Sequence, residues 1–400
     1  MHTYLLRESK IHTHPPCSIP VGKMSDDMSQ VAARSKDIGL PSLDTVASWQ
    51  NHKVAARDCG FPYEPLRDER SFRLLKLLHS SDATALIEPT MSEQSLDDSE
   101  GKYAALSYTW GDSPESETVV LNGRPVLVTR NLYLALVHLR DVTGELQSAL
   151  AECFLWIDAL CINQDDQMER NNQVAYMRQI FMNAALVVAW LGPAADGSDY
   201  LMEKAVKRPP YTMPLTISAL CSFFQRPWWT RAWIVQEYIL ARIAFFLCGL
   251  SYVPLTGLVR FLYTLVYALK KSPIMPEYFK ERLRDILVQR LQLLKLNRRW
   301  KKDNSLYLVD LLVYTRDFGA TDPRDRIFAL LGIIVPEEAA QLKADYSLSP
   351  CEVFCATIRV IFSHGYSRRD ALIRSMQESA DKLFEECDIT HWSTYKSVVG

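Results

Sequence analysis

The chain has 400 residues, 48% of them hydrophobic and 23% charged, with a formal net charge of -2 at pH 7. That length accommodates two ordinary domains or one large domain with appendages, and a core of normal size that needs neither disulfides nor a structural metal. The balanced charge supplies no global field toward nucleic acid or an anionic membrane surface.

Residues 1–60 mix His, Ser, Asp, Lys and Pro without periodicity and are expected to form a flexible extension. No apolar core of signal-peptide length occurs in the first thirty residues. His12, His14 and Cys17 lack a fourth ligand, so no metal site is expected there. Ser71–Leu78 reads as a first strand, and the acidic stretch Pro89–Gly101 as a loop. Tyr103–Thr109 is an apolar strand that ends in Trp110, Gly111 and Asp112. Val119–Val128 centres on Asn122-Gly123, a pair that tolerates the positive φ angles of a type I′ hairpin turn.

Leu132–Leu139 has helical spacing, and Phe154–Ile157 is a short buried strand closed by Asp158. Asp166 to Glu169 has the pattern of a capping box, opening a helix with Val174, Met177, Ile180, Phe181 and Ala184 on one face. Leu186–Leu191 is a strand stopped by Gly192-Pro193. Pro227 is placed to open a helix carrying Trp229, Trp233 and Glu237 at four-residue intervals, hence on one face. Ile243–Cys248 is the next strand, and the run to Val259 is broken by Gly249, Pro254 and Gly257, which argues against a membrane span. Beyond residue 260 the pattern turns helical, at Tyr278–Arg299, Leu306–Thr315, Arg324–Leu331 and Cys351–Phe362.

This alternation predicts an α/β fold: a doubly wound, mainly parallel sheet with an additional helical C-terminal region. The expected organisation is an extension over 1–60, an α/β domain over 61–260 and a helical region over 261–400. The nine cysteines lack any Cys-x-x-Cys spacing, and no Asn-x-Ser/Thr acceptor occurs, which fits a reducing, cytoplasmic setting. The basic residues Lys295, Arg298, Arg299, Lys301 and Lys302 around Trp300 read as a solvated helix end rather than a phosphate contact, so no nucleic-acid partner is expected.

Ligands of open α/β sheets sit at the carboxyl ends of strands. That rule collects Trp110, Asp112, Asp158, Asn163 and Gln164, with Gly192, and a helix that brings Glu237 toward the same rim. Carboxylates, amides and indoles together suit a ribosyl or nucleotide ligand or a polar protein interface. The competing readings are equally physical: Asp and Asn after strands cap helices and turns, and Trp at helical spacing builds cores. No Gly-x-Ser-x-Gly, Walker loop, Gly-x-Gly-x-x-Gly or His-Glu-x-x-His occurs.

Four segments stand in order: YAALSYTWGD (103–112), LWIDALCINQDDQMERNNQVAYMRQIFMNAALVVAWLG (155–192), FFQRPWWTRAWIVQEYILA (223–241) and TDPRDRIFALLG (321–332). Together they resemble the fungal heterokaryon-incompatibility (HET) domain family. The resemblance implies a role in non-self recognition and the programmed cell death it triggers, with protein partners of the incompatibility system and a homo-oligomer. It also implies a remote likeness to Toll/interleukin-1 receptor (TIR) domains, some of which cleave NAD with a glutamate in a Trp-Cys-x-x-Glu helix. Trp233-Ile-Val-Gln-Glu237 is similar, with Ile234 in place of Cys. Carried over, Glu237 is the catalytic residue of an NAD hydrolase, Asp112 and Asp158 line the pocket, and the faces of Trp110, Trp229 and Trp233 hold the base. NAD then enters as substrate, and no cofactor is implied. A regulatory or biosynthetic accessory role beside a secondary-metabolite gene cluster is a third reading that sequence leaves open.

Overall fold

The computed structural model describes residues 61–78, 85–111, 115–206, 217–271 and 296–363, with isolated positions 82, 286, 287, 290 and 293. All belong to one compact unit, Ala47–Gly400. His12, His14, Cys17, Asp112, Lys295 and much of the helix expected over Tyr278–Arg299 lie outside the described residues.

A seven-stranded mixed sheet forms the centre. Its strands are β1 (Ser71–Lys76), β2 (Thr90–Ser95), β3 (Tyr103–Ser107), β6 (Phe154–Trp156), β7 (Leu186–Trp190), β8 (Ala244–Cys248) and β9 (Ser251–Pro254), in the spatial order β2-β1-β6-β3-β7-β8-β9. β6, β3, β7 and β8 are mutually parallel, whereas β1 joins β6, β2 joins β1 and β9 joins β8 antiparallel. Among the parallel strands the order is second, first, third, fourth along the chain, an arrangement of flavodoxin-like doubly wound sheets. β4 (Ser116–Leu121) and β5 (Arg124–Thr129) form a separate hairpin. Asn122 (φ 48°) and Gly123 (φ 74°) turn it as expected, and the Asn122 amide docks it by accepting the Met91 N–H at 2.7 Å.

The helices are α1 (Arg130–Asp141), α2 (Gly144–Ala151), the single turn α3 (Asp158–Cys161), α4 (Gln167–Asn183), α5 (Ser198–Val206), α6 (Ile217–Phe224), α7 (Ile234–Leu240), α8 (Leu255–Lys271), α9 (Leu308–Thr315), α10 (Asp325–Phe328), α11 (Pro336–Ala339) and α12 (Pro350–Ser363). Strand register puts Tyr103, Ala105 and Ser107 on one sheet face with Trp156, Val187, Ala189 and Phe246. α4 and α7 cover this face: Phe181 meets Trp156 edge-on, and Tyr238 lies against Phe246. On the other face α1 brings His138 and Asn131 to Trp190. Helices on both faces explain why the central strands are apolar along their whole length rather than alternating.

Two local expectations need correction. The loop expected over Pro89–Gly101 contains β2, an edge strand whose polar sequence TMSEQS is half exposed and carries no apolar alternation. The helix expected from Pro227 is not continuous. A 3₁₀ turn over Pro227–Thr230 ends at Arg231, whose backbone is extended (φ -74°, ψ 133°), and α7 begins only at Ile234. The break has a cause downstream: Gly319 N–H donates to the Thr230 carbonyl (2.6 Å) and Ala232 N–H to the Gly319 carbonyl (2.8 Å), a parallel bridge that straightens the chain.

The capping box is also only half formed. Asp166 accepts from the amides of Met168 and Glu169, but the Glu169 carboxylate turns away to accept from the Asn163 amide (2.7 Å) and to pair with buried Arg73. The C-terminal segment packs directly on the sheet layer, so all seven residues of α7 are buried, those between the sheet and this segment included. No helix among the described residues is long and apolar enough to cross a membrane.

Candidate functional site

β3 ends in Ser107, and its hydroxyl is where the site begins. It donates to one oxygen of the Glu237 carboxylate in a short bond and accepts from the Trp228 indole at 2.9 Å. The other Glu237 oxygen accepts from the Arg231 guanidinium at 2.9 Å. Arg231 reaches on to Asp158 at 3.6 Å, and Asp158 also accepts from the Trp110 indole at 2.9 Å and is bonded to the Tyr108 hydroxyl. Residues from β3, the end of β6, the 3₁₀ turn and α7 therefore meet around a single guanidinium. A third carboxyl, Asp325 of α10, is bonded to the Trp233 indole and the Tyr346 hydroxyl on the outer side of α7.

The cluster is graded in exposure. The Glu237 side chain is 3% exposed, Arg231 17% and Asp158 15%, and Trp110 at the rim is 43% exposed. Burial pushes the Glu237 carboxyl above its ordinary value, against the opposing pull of Arg231 and the Ser107 hydroxyl. Asp325 is raised for the same reason, against hydrogen bonds from Tyr346 and Trp233. Burial also works against the charge on Arg231, but Glu237 and Asp158 outweigh it and hold the guanidinium firmly protonated. A carboxyl lifted toward neutrality beside a second carboxylate is a combination suited to proton transfer or to supporting developing positive charge. As folded, however, both Glu237 oxygens are occupied from within the chain.

The other expected site residues have different places. Asn163 builds a turn, accepting from the Asp165 amide at 3.2 Å, and Gln164 ties the loop back to the Asp158 carbonyl at 2.9 Å. Trp229 is fully buried: its ring packs on Phe223, Phe224, Trp228 and Phe246, and its indole donates to the Phe223 carbonyl. Its place is the aromatic core, and the helix break at Arg231 removes it from the face that carries Glu237. Trp233 touches Asp325 rather than Asp158, while Gly192 lies against Arg226, which holds the carbonyls of Leu191 and Pro193.

Residues 103–237 match the family model for heterokaryon incompatibility protein (HET). That stretch is thus similar to the heterokaryon-incompatibility family. The chain is similar to heterokaryon incompatibility protein 6, OR allele, of Neurospora crassa, with 29% identity over 327 residues, which cover 66% of this chain and 48% of the relative. The chain thus matches about half the length of that protein. No solved structure matches. The HET span opens at the first residue of β3 and closes at Glu237, so Ser107, Asp158, Arg231 and Glu237 all lie inside it.

Sequence reasoning about the HET segment missed Ser107, Trp228 and Arg231 as partners of Glu237. One signal was available for Arg231: it stands inside the run PWWTRAWIV, and a cation flanked by so many core-forming side chains needs a carboxylate partner. Ser107 gave no such signal, since a serine closing an apolar strand is chemically unremarkable until its neighbour across space is known. Among the described residues no group of three or more metal-ligating side chains is assembled.

Proposed function

We propose that this chain is a signalling module of fungal non-self recognition, driving programmed cell death through protein partners and self-association in the cytoplasm. What carries the reading is the convergence, within the HET span, of four side chains from three separated stretches of sequence onto one partly buried charge cluster. Burying charge in this way costs stability, and such local costs are the ones folds tolerate at functional sites. The parallel strand order supports a TIR-like relationship in the same reading. Inducible expression in a filamentous fungus tests it: growth arrest on induction is expected, and normal growth at confirmed soluble expression contradicts it.

A second reading, NAD hydrolysis at Glu237, is favoured by one observation. The carboxyl with the raised pKa sits at the carboxyl end of β3, beside Asp158 and the Trp110 indole. There Glu237 would orient ribose hydroxyls and support an oxocarbenium-like transition state, once Arg231 has moved off it. Loss of NAD with the purified chain, abolished in Glu237→Gln, is the expected result. Unchanged NAD at high protein concentration counts against the enzyme and leaves the signalling role standing.

A further inference from the structure

Helix α7 is buried on all sides, and the segment that closes its outer side lies beyond the HET span. Between Thr315 and Gly332 this segment touches the site's backbone and side chains at three successive points. Gly319 forms the parallel bridge with Arg231, donating to the Thr230 carbonyl and accepting from Ala232 N–H. Asp325 takes the indole of Trp233. Gly332 N–H donates to the Gln236 amide oxygen at 3.3 Å, and its carbonyl accepts from Arg178 of α4. The approach at Gly332 is close: a Cβ there would lie 2.6 Å from the Gln236 side chain.

The bridge at Gly319 is also what keeps residue 231 extended. Had the 3₁₀ turn run on into α7, residue 231 would lie within a helical turn; in the extended backbone its guanidinium lies between Glu237 and Asp158.

We propose that the segment from Thr315 to Gly332 is a strap that clamps Arg231 onto Glu237 and so keeps the carboxylate closed. Releasing the strap frees the backbone at Thr230–Ala232, lets Arg231 leave, and opens Glu237 toward the rim marked by Asp158 and Trp110. The proposal rests on Glu237 being the centre of the site, whichever of the two functions that centre serves. It makes the region downstream of the HET span a regulator of that span rather than a neighbouring domain.

Although Phe318, Ile327, Phe328, Ala329 and Leu330 of the strap are buried, its hold on Thr230 and Ala232 is two backbone hydrogen bonds at Gly319, a local link of the kind that opens below the global unfolding limit. Hydrogen exchange of the full wild-type chain therefore comes first. The amides of Gly319 and Ala232 are expected to exchange together, about tenfold or more faster than the sheet amides of Val187 and Val188. Equal rates for all four would mean that only global unfolding frees the segment, and would overturn the proposal. Gly319→Pro then removes the donor to Thr230, with Gly319→Ala as control, since a Cβ at this position lies 3.9 Å from the nearest atom, the Thr230 carbonyl oxygen. Carbodiimide with a primary amine, which converts an accessible carboxyl to an amide, is read at Glu237 by mass spectrometry.

Labelling of Glu237 about tenfold faster in Gly319→Pro than in wild type or Gly319→Ala is expected. A folded Gly319→Pro chain with Glu237 still unlabelled overturns the strap. Should that variant not fold, the exchange rates decide alone. Neither measurement uses growth arrest or NAD loss, so failure of the strap is separable from failure of the proposed function.

Discussion

Replacing Arg231 with Met keeps most of the aliphatic stem of the side chain and removes its charge. Among the described residues, Glu237, 3% exposed, then retains only the Ser107 hydroxyl as a partner. Stranding one member of a buried ion pair costs about 3–5 kcal/mol, so a loss in that range is expected near neutral pH. The cost must also depend on pH. The folded-state pKa of Glu237 is already raised above its unfolded value, and the cation that pulls it down is now gone. A raised carboxyl contributes stability that is fully present below the unfolded value and lost as pH rises through the folded one. In Arg231→Met that folded value moves higher still, so mild acid neutralises the stranded carboxylate and restores most of the loss. Urea denaturation followed by tryptophan emission at about pH 7.5 and about pH 5.5 measures both losses. The loss at the lower pH should shrink to the hydrogen-bond and packing contribution, about 1–2 kcal/mol. Equal losses at both pH values would refute the reasoning, because they would show that Arg231 acts through its methylenes and not through the charge it presents to Glu237.

Three further outcomes are expected. Gly332→Ala drives a Cβ into the buried Gln236 amide and should cost about 1–3 kcal/mol in the same denaturation assay. Asp166→Ala removes the acceptor for the first amides of α4 and should cost about 1 kcal/mol without changing spectra of the folded chain. Thiol reagents should modify Cys221 and Cys351 in the native chain, while Cys161, buried and pushed up to about 12, together with Cys153 and Cys248, reacts only on unfolding. Mass spectrometry of partly labelled chains reads that order directly.

The parallel strands were legible because both their faces are covered, so each is a run of apolar residues that no surface element would carry. β2 was not, because an edge strand with one side in water needs no apolar alternation, and TMSEQS has none. The hairpin was legible from Asn122-Gly123 alone, since few other pairs accept its two positive φ angles.

At the site, Glu237, Asp158 and Trp110 could be placed on one rim from strand ends and spacing. The group that joins the two carboxylates could not. Arg231 owes its position to a backbone bridge with Gly319, far away in sequence, and periodicity carries no trace of such a bridge. The same bridge separates Trp229 from the face of Glu237, which is why equal four-residue intervals gave a false impression of one helix.

On the proposed function, the cluster of Ser107, Asp158, Arg231 and Glu237 is the working centre of the HET span. Growth of a fungal host tests it most directly when two kinds of variant are expressed at matched soluble levels. Glu237→Gln alters the cluster, and Asp166→Ala weakens the fold elsewhere. Arrest by wild type and Asp166→Ala, with normal growth for Glu237→Gln, is the predicted result. Arrest by Glu237→Gln equal to that of wild type would contradict the account.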